Sequence, residues 1–442
     1  MRLGAIAACL NARFKTREFK HAVDNSACKL LIYSARLSDV VAASEVAAQT
    51  RLLDADAIRA EWTNVSASAA EHYRAGPAVS ADTPARIIYT SGTTALPKAC
   101  LHTHGALLHQ AWSVAERLAL TPTDRFWTPL PLFHTGGWTP FLAAQAAGAS
   151  LHHPGYFDAG ASRRQIVDER CTILFLGFET LWMQVLEHPD YRATDFARAR
   201  PVLNVGVPER LAAMQALLPQ VPQVSNTGCT EVGGFLCIGE AADPLASRCT
   251  TAGQLLAGME AKIVQRDTQA AVGDGAPGEL VVRGPACLCE YYRDPDATNA
   301  AIDTDGWFHT GDLLVRNDHG EFMFLRRIKD LLKVGGENVA AAEIDGHLLT
   351  HPAVRLVAVV AAPDTYGSAG SFRRTVARRA YNGCGTHRVL HRRHRQLQSA
   401  ALRALRRRVA KVRHEDSERG IAGADDRRVG GGTVARAKGR PR

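Results

Sequence analysis

Short apolar runs alternate with longer stretches of helical period along most of the chain. Leu30–Tyr33, Arg86–Tyr89, Thr172–Leu176, Leu280–Val282 and Leu356–Val360 have the length and side-chain character of strands, and Leu3–Leu10 reads as a further buried strand. Ala106–Leu118 and Arg210–Leu218 have the period of helices. The alternation predicts an α/β protein over residues 1 to about 365. Gly/Pro/Asp-rich stretches at 272–278 and 293–306 punctuate the second half, without an internal repeat. After about Gly370 branched apolar residues thin out and Arg and His crowd in. A solvated or irregular tail is the plain reading there, although Gln396–Arg413 has the spacing of a basic amphipathic helix that could meet a membrane surface or RNA.

Composition sharpens this picture. With 46% apolar and 22% charged residues in 442, disorder, collagen and coiled coil are excluded. The formal charge of +9 suggests a polyanion binder only until it is divided: residues 371–442 hold 19 Arg and 2 Lys against 5 acids, a net of +16, which leaves −7 for the first 370. Any nucleic-acid argument therefore applies to the tail alone. Ten scattered cysteines without a CxxC pair predict free thiols and a cytoplasmic protein. No apolar run reaches the roughly 18 residues of a membrane helix. Met1–Ala12 is the one stretch resembling a signal peptide, and it overlaps the predicted first strand.

The most informative stretch is Tyr89-Thr90-Ser91-Gly92-Thr93-Thr94-Ala95-Leu96-Pro97-Lys98, between a predicted strand and a predicted helix. Its hydroxyls, permissive Gly and terminal Lys suit a loop that wraps phosphate oxygens with N–H and O–H donors and one positive charge. The spacing is not GxxxxGK[ST], which disfavours an ordinary P-loop NTPase. Alone, such a cluster also reads as a surface turn.

It is not alone. Tyr89–Lys98 resembles the phosphate-binding loop of the adenylate-forming (AMP-binding) superfamily of acyl-CoA synthetases, luciferases and peptide-synthetase adenylation domains. Four further segments follow in that family's order. Pro131-Leu132-Phe133-His134 resembles the segment near the acyl pocket, Thr227-Gly228-Cys229-Thr230-Glu231 the adenine and magnesium segment, and Gly306-Trp307-Phe308-His309-Thr310-Gly311-Asp312 the ribose-binding segment. Arg327-Ile328-Lys329-Asp330-Leu331-Leu332-Lys333-Val334-Gly335-Gly336-Glu337-Asn338 resembles the hinge and the start of a small mobile domain.

The resemblance implies a large α/β domain over 1–325, an incomplete small α+β domain over 326–366 and an aberrant tail over 367–442. It implies an ATP-dependent acid–CoA ligase using Mg²⁺, with CoA as second substrate. Thr90 and Glu231 would hold the metal; Ser91, Gly92, Thr93, Thr94 and Lys98 would cradle phosphates; Thr227, Gly228, Cys229 and Thr230 would border the adenine. Asp312 would accept from the ribose hydroxyls and Arg327 would grip the same sugar from the other domain. His134 would border the acyl pocket. Trp138, four residues on, sits where fatty acyl-CoA synthetases carry an aromatic gate, which tilts the acid toward a fatty acid; a structural Trp is the alternative. Lys329 would be the hinge, Gly335 and Gly336 would leave room for the pantetheine arm, and Lys333 would meet a phosphate or be solvated. Taken singly, Asp312 also reads as a turn residue and Glu231 as a helix-start acid.

Departures are visible. Gly4–Ser34 already matches a segment that the family normally precedes with further strands and helices. The likeness stops near Pro363–Gly367, so the family's final Pro-x-x-x-x-Gly-Lys, whose lysine serves adenylation, does not appear. The tail's bias is what a displaced reading frame in GC-rich coding sequence would give, and adenylation is expected to be impaired. Ala95 and Ala99 replace common glycines, Thr227 stands where an aromatic usually stacks on adenine, and Arg326 where a Gly is usual. Loading of a carrier protein, and non-catalytic nucleotide binding with a basic interaction tail, remain the competing readings.

Overall fold

The alternation of apolar positions is realised as stacked layers of sheet and helix, seen in a computed structural model. It describes residues 3–46, 49–62, 78–90 and 96–328, and the backbone of short strands between 331 and 372. The chain divides into two units, 1–329 and 330–442. In the first, the strands are β1 (Ala7–Cys9), β2 (Leu30–Tyr33), β3 (Arg51–Asp54), β4 (Pro84–Thr90), β5 (Lys98–Thr103), β6 (Arg125–Trp127), β7 (Ser150–His152), β8 (Ile173–Phe178), β9 (Val202–Val205), β10 (Gln223–Thr227), β11 (Cys237–Ile238), β12 (Gln254–Leu255), β13 (Glu260–Val264), β14 (Gly278–Arg283), β15 (Glu290–Tyr291), β16 (Phe308–Arg316) and β17 (Phe322–Arg327).

The largest sheet has the order β12-β11-β10-β9-β8-β6-β7. Its five strands from β10 to β7 are parallel, and β11 and β12 run antiparallel at one edge. A parallel sheet needs cover on both faces, and β8 shows how the sequence supplies it. Leu174 and Leu176 pack on one side with Trp182, Leu211 and Met214 of the helices Glu179–Leu186 and Pro208–Leu217. Ile173 and Phe175 pack on the other with Val114 and Leu118 at the end of helix His104–Arg117 and with Ala143 of helix Thr135–Ala146. An antiparallel sheet, β13-β14-β16-β17, packs through Ile263, Leu280, Val282, Phe308, Leu314 and Phe322 into a core shared with Cys100, Cys237 and Tyr291 of the other two sheets.

The sheet that matters for the site is β1-β4-β5-β15. β1 runs parallel to β4, and the other pairs are antiparallel. One face, through Ile87, Tyr89, Ala99 and Leu101, packs on Ala22 of helix Thr16–Ser26. The Tyr89 hydroxyl donates to the Ala22 carbonyl at 2.8 Å. The opposite face mixes buried Ile88 and Cys100 with the polar side chains of Arg86 and His102.

Most expected elements are present with shifted ends. Arg86–Tyr89 lies inside β4, the strand expected from Thr172 begins at Ile173 and runs on to Phe178, and Ala106–Leu118 is helix His104–Arg117. The expected strand Leu3–Leu10 is shorter and only half-buried, Ala7–Cys9, because it pairs with β4 at three positions alone. Leu356–Val360 and Gln396–Arg413 lie outside the described residues. In the second unit Leu331–Val334 pairs antiparallel with Glu337–Ala340, and Ala361–Ala362 with Ser371–Phe372. Among the described residues no helix is long and apolar enough to cross a membrane.

Candidate functional site

Cross-strand register sets which side chains share the free face of the β1-β4-β5-β15 sheet. Thr90 stands opposite Lys98, Ile88 opposite Cys100 and Arg86 opposite His102 on β4 and β5. Cys100 in turn stands opposite Tyr291 on β15. Because side chains alternate along a strand, Arg86, Thr90, Lys98, Cys100, His102 and Tyr291 point to one side.

Above that side lies the segment after β10. Thr230–Val232 forms a 3₁₀ turn that Gly233 ends in the left-handed region at φ 77°. The Leu288 N–H donates to the Glu231 carbonyl at 2.7 Å. The Glu231 side chain meets the sheet, where the Tyr291 hydroxyl donates to Glu231 Oε1 at 2.9 Å. Over the ring of the same Tyr291, at 4.6 Å from its centre, stands Lys98 Nζ. The structure thus brings two expected site residues, Lys98 and Glu231, onto one aromatic side chain outside the motifs, with a third, Thr90, opposite Lys98 on the neighbouring strand. Glu290-Tyr291-Tyr292 carries no motif signal; only the register across β5 reveals it.

Electrostatics agree with this geometry. Burial and the Glu231 charge push the Tyr291 phenol far above its usual value, so it is a permanent donor. Burial also drives the Cys100 and Cys229 thiols well up, with Glu231 adding to both and Asp312 to Cys229. Cys229 therefore lies within reach of both candidate carboxylates as a neutral thiol. Next to them His102 is fully buried and its imidazole is pulled down to about 3, first by burial and then by Arg86. Arg86 is itself wholly buried and lowered to about 10, with His102 Nδ1 at 3.5 Å from its Nη2 and no carboxylate partner among the described residues.

The loop from Thr227 to Leu236 doubles back closely. Leu236 N–H donates to the Thr227 carbonyl at 2.8 Å and Gly234 N–H to the Cys229 carbonyl at 3.1 Å. A Cβ on Gly228 would sit 1.8 Å from the Gly234 carbonyl oxygen. Helix Thr135–Ala146 buttresses this loop, Thr139 Oγ1 donating to the Gly233 carbonyl at 2.7 Å. His134 is the residue before that helix, edge-on to Phe133. Trp138, one turn in and half-buried, donates its indole N–H to Cys9 Sγ at 3.0 Å and stands 5.9 Å from the Arg86 guanidinium.

Asp312 on β16 is 8% exposed and forms an ion pair with Arg327, Nε to Oδ1, at 3.1 Å. The two face each other by register on β16 and β17. Arg327 was expected to approach the ribose from the other domain. The structure instead places it at the end of β17, on the same sheet as Asp312, because that strand continues in register through Arg327. Ser91, Gly92, Thr93, Thr94, Lys329, Gly335 and Gly336 lie outside the described residues. Lys333 is described only by its backbone, opposite Asn338 in the hairpin of the second unit.

Among the described residues no group of three or more His, Cys, Asp or Glu side chains could hold a metal ion on its own. Mg²⁺ does not need one. It keeps its waters and is bound through one or two carboxylates plus substrate phosphates, and a single carboxylate held by Tyr291 fits that requirement.

With this geometry in view, comparison with known proteins is decisive on one point. A family model described as AMP-binding enzyme matches residues 1–292. The chain belongs to the AMP-binding enzyme family. It is similar to YngI of Bacillus subtilis (strain 168), to which acyl-CoA synthetase activity is provisionally assigned: 38% identity over 280 residues, covering 62% of this chain and 51% of that protein. It is also similar to 4-coumarate–CoA ligase 2 of Oryza sativa subsp. japonica, 33% identical over 297 residues, covering 65% and 52%. The long-chain-fatty-acid–CoA ligase FadD13 of Mycobacterium tuberculosis (strain H37Rv) is 32% identical over 378 residues, covering 82% and 71%. The chain spans about half the length of the first two of these relatives. Among solved structures, Mycobacterium tuberculosis fatty acyl CoA synthetase superposes with TM-score 0.69 at 28% identity, covering 84% of this chain and 72% of that one. ATP-bound MatB of Rhodopseudomonas palustris shares the fold at TM-score 0.70 and 24% identity, covering 83% and 72%.

Proposed function

We propose that the chain is an AMP-forming acid–CoA ligase that joins a carboxylic acid to AMP and then passes the acyl group to the CoA thiol. The observation that carries this reading is the Lys98–Tyr291–Glu231 cluster, set at the end of the strand that leads into the hydroxyl-rich loop. A carboxylate oxygen attacks the α-phosphorus and pyrophosphate leaves, so two anions must approach each other. The Lys98 ammonium and loop donors screen that charge. Bound Mg²⁺, held by Glu231 and Thr90, would neutralise charge on the phosphates. The CoA thiol then attacks the acyl carbon, AMP leaves, and the thiol proton passes to solvent.

Lys329, the last residue of the first unit, would be the hinge, with Gly335 and Gly336 of the second unit as the channel for the pantetheine arm and Lys333 as a phosphate contact. The relatives named above include ligases for long-chain fatty acids and for 4-coumarate. A fatty acid is the substrate proposed here, on the position of Trp138 beside Cys9 and one helical turn from His134. The catalytic account places the protein in the cytoplasm, where ATP and CoA are available. Adenylation is expected to be the weaker half-reaction, since no lysine of the chain stands in the Pro-x-x-x-x-Gly-Lys context.

The test supplies dodecanoyl-adenylate with CoA in one arm and dodecanoic acid with ATP, Mg²⁺ and CoA in the other. Dodecanoyl-CoA is expected from both, at least tenfold faster from the adenylate. No thioester in either arm contradicts the ligase reading, and equal rates contradict the assignment of weak adenylation.

A further inference from the structure

We propose that Tyr291 is a positioning residue that holds the metal-side carboxylate of Glu231 and the phosphate-side ammonium of Lys98 in place while keeping the two from pairing. This rests on the ligase reading and deepens it, because it assigns a role to a residue outside every motif of the chain.

The geometry gives one side chain two jobs. The phenol O–H donates to Glu231 Oε1 at 2.9 Å, which fixes the carboxylate through one of its two oxygens. The ring face carries Lys98 Nζ at 4.6 Å. A cation–π contact holds an ammonium without consuming its N–H donors, so all three stay available to phosphate oxygens. Among the described residues neither Lys98 nor Glu231 forms an ion pair, although both touch Tyr291. With the ring between them, each charge is held by Tyr291 and not by the other.

Tyr291 is well placed to act as a rigid spacer. It is 6% exposed and packs in the core with Cys100, Val232 and Leu288. Its own N–H donates to Thr298 Oγ1 at 3.0 Å, while that hydroxyl donates to the Asp294 carbonyl at 2.8 Å, tying β15 to the start of helix Pro295–Ala301. Two aromatic torsions fixed by packing cost little further ordering when the nucleotide binds.

A double-mutant cycle on the full chain tests this, read as the Kd of MgATP by calorimetry and the KM of the acid. Tyr291→Phe keeps the ring and removes the O–H; it is expected to weaken MgATP binding roughly tenfold, the scale of one buried hydrogen bond to a charged group, with the acid KM unchanged. In a Glu231→Ala background the same substitution is expected to cost nothing, since the hydroxyl then has no carboxylate to hold. Tyr291→Leu, which also frees Lys98, is expected to weaken MgATP binding further than Tyr291→Phe. Equal losses from Tyr291→Phe in both backgrounds, or none in either, overturn the positioning role while wild-type binding keeps the ligase reading intact. Absence of MgATP binding by the wild type overturns both. Far-UV circular dichroism of each variant separates a folding defect from a site defect, and Tyr291→Phe alone decides the outcome if Tyr291→Leu does not fold.

Discussion

A histidine held at about 3 and a guanidinium held at about 10 lie in contact beneath the candidate nucleotide site, both fully buried. For His102 the sign follows from its depressed value. The fold favours the neutral ring, so this contribution is whole above the ordinary value near 6.5 and is lost as pH falls toward 3. At about 1.4 kcal/mol per pH unit the loss between pH 7 and pH 4.5 is about 3 kcal/mol. Urea unfolding at those two pH values should show that loss in the wild type and lack it in His102→Leu; an unchanged acid limb in the variant would contradict the assignment. At this scale the sequence was only partly legible. Thr90, Lys98, Glu231 and Asp312 could be named as candidates from motif order, because each motif fixes a donor or acceptor type. Tyr291, Arg86 and His102 could not, because what joins them to the site is strand register, a property of paired backbones rather than of any one segment.

Among elements, the loop that follows β10 depends on contacts a side chain would destroy. Gly228 faces the Gly234 carbonyl and the Leu236 N–H so closely that an added methyl would have to displace backbone. Gly228→Ala is therefore expected to destabilise the chain by about 2–3 kcal/mol. Gly273→Ala, where a Cβ meets nothing within 4 Å, should leave stability near that of the wild type. Chemical unfolding of the two variants side by side checks this, and similar behaviour would contradict the close approach. Elements with strong period were easy to read, as with helix His104–Arg117, where the Thr103 side chain accepts from the Ala106 N–H at 3.0 Å and so marks the start. Ends were harder. β8 runs past Leu176 through Gly177, at φ 78°, to Phe178 because β9 stays in register there after a bulge, and pairing of that kind is set by the neighbour. Arg327 is another such end: its strand stays in register with its partner through Arg327, opposite Asp312.

For the molecule as a whole, the order of five motifs was enough to name the family, and the α/β sheet with its covered faces follows from the same sequence. The acid is harder to read, since the contact between Trp138 and Cys9 joins segments far apart in the chain that share no local pattern. Family membership does not by itself make the site competent. The account requires that one ammonium, one carboxylate and the aromatic ring between them receive a magnesium-bound nucleotide. Calorimetric titration of the folded full chain with MgATP, beside Lys98→Met, tests this most directly. Saturable binding to the wild type, weakened at least tenfold in the variant, is the predicted result. No heat of binding to the wild type, or identical affinity in both proteins, would contradict it.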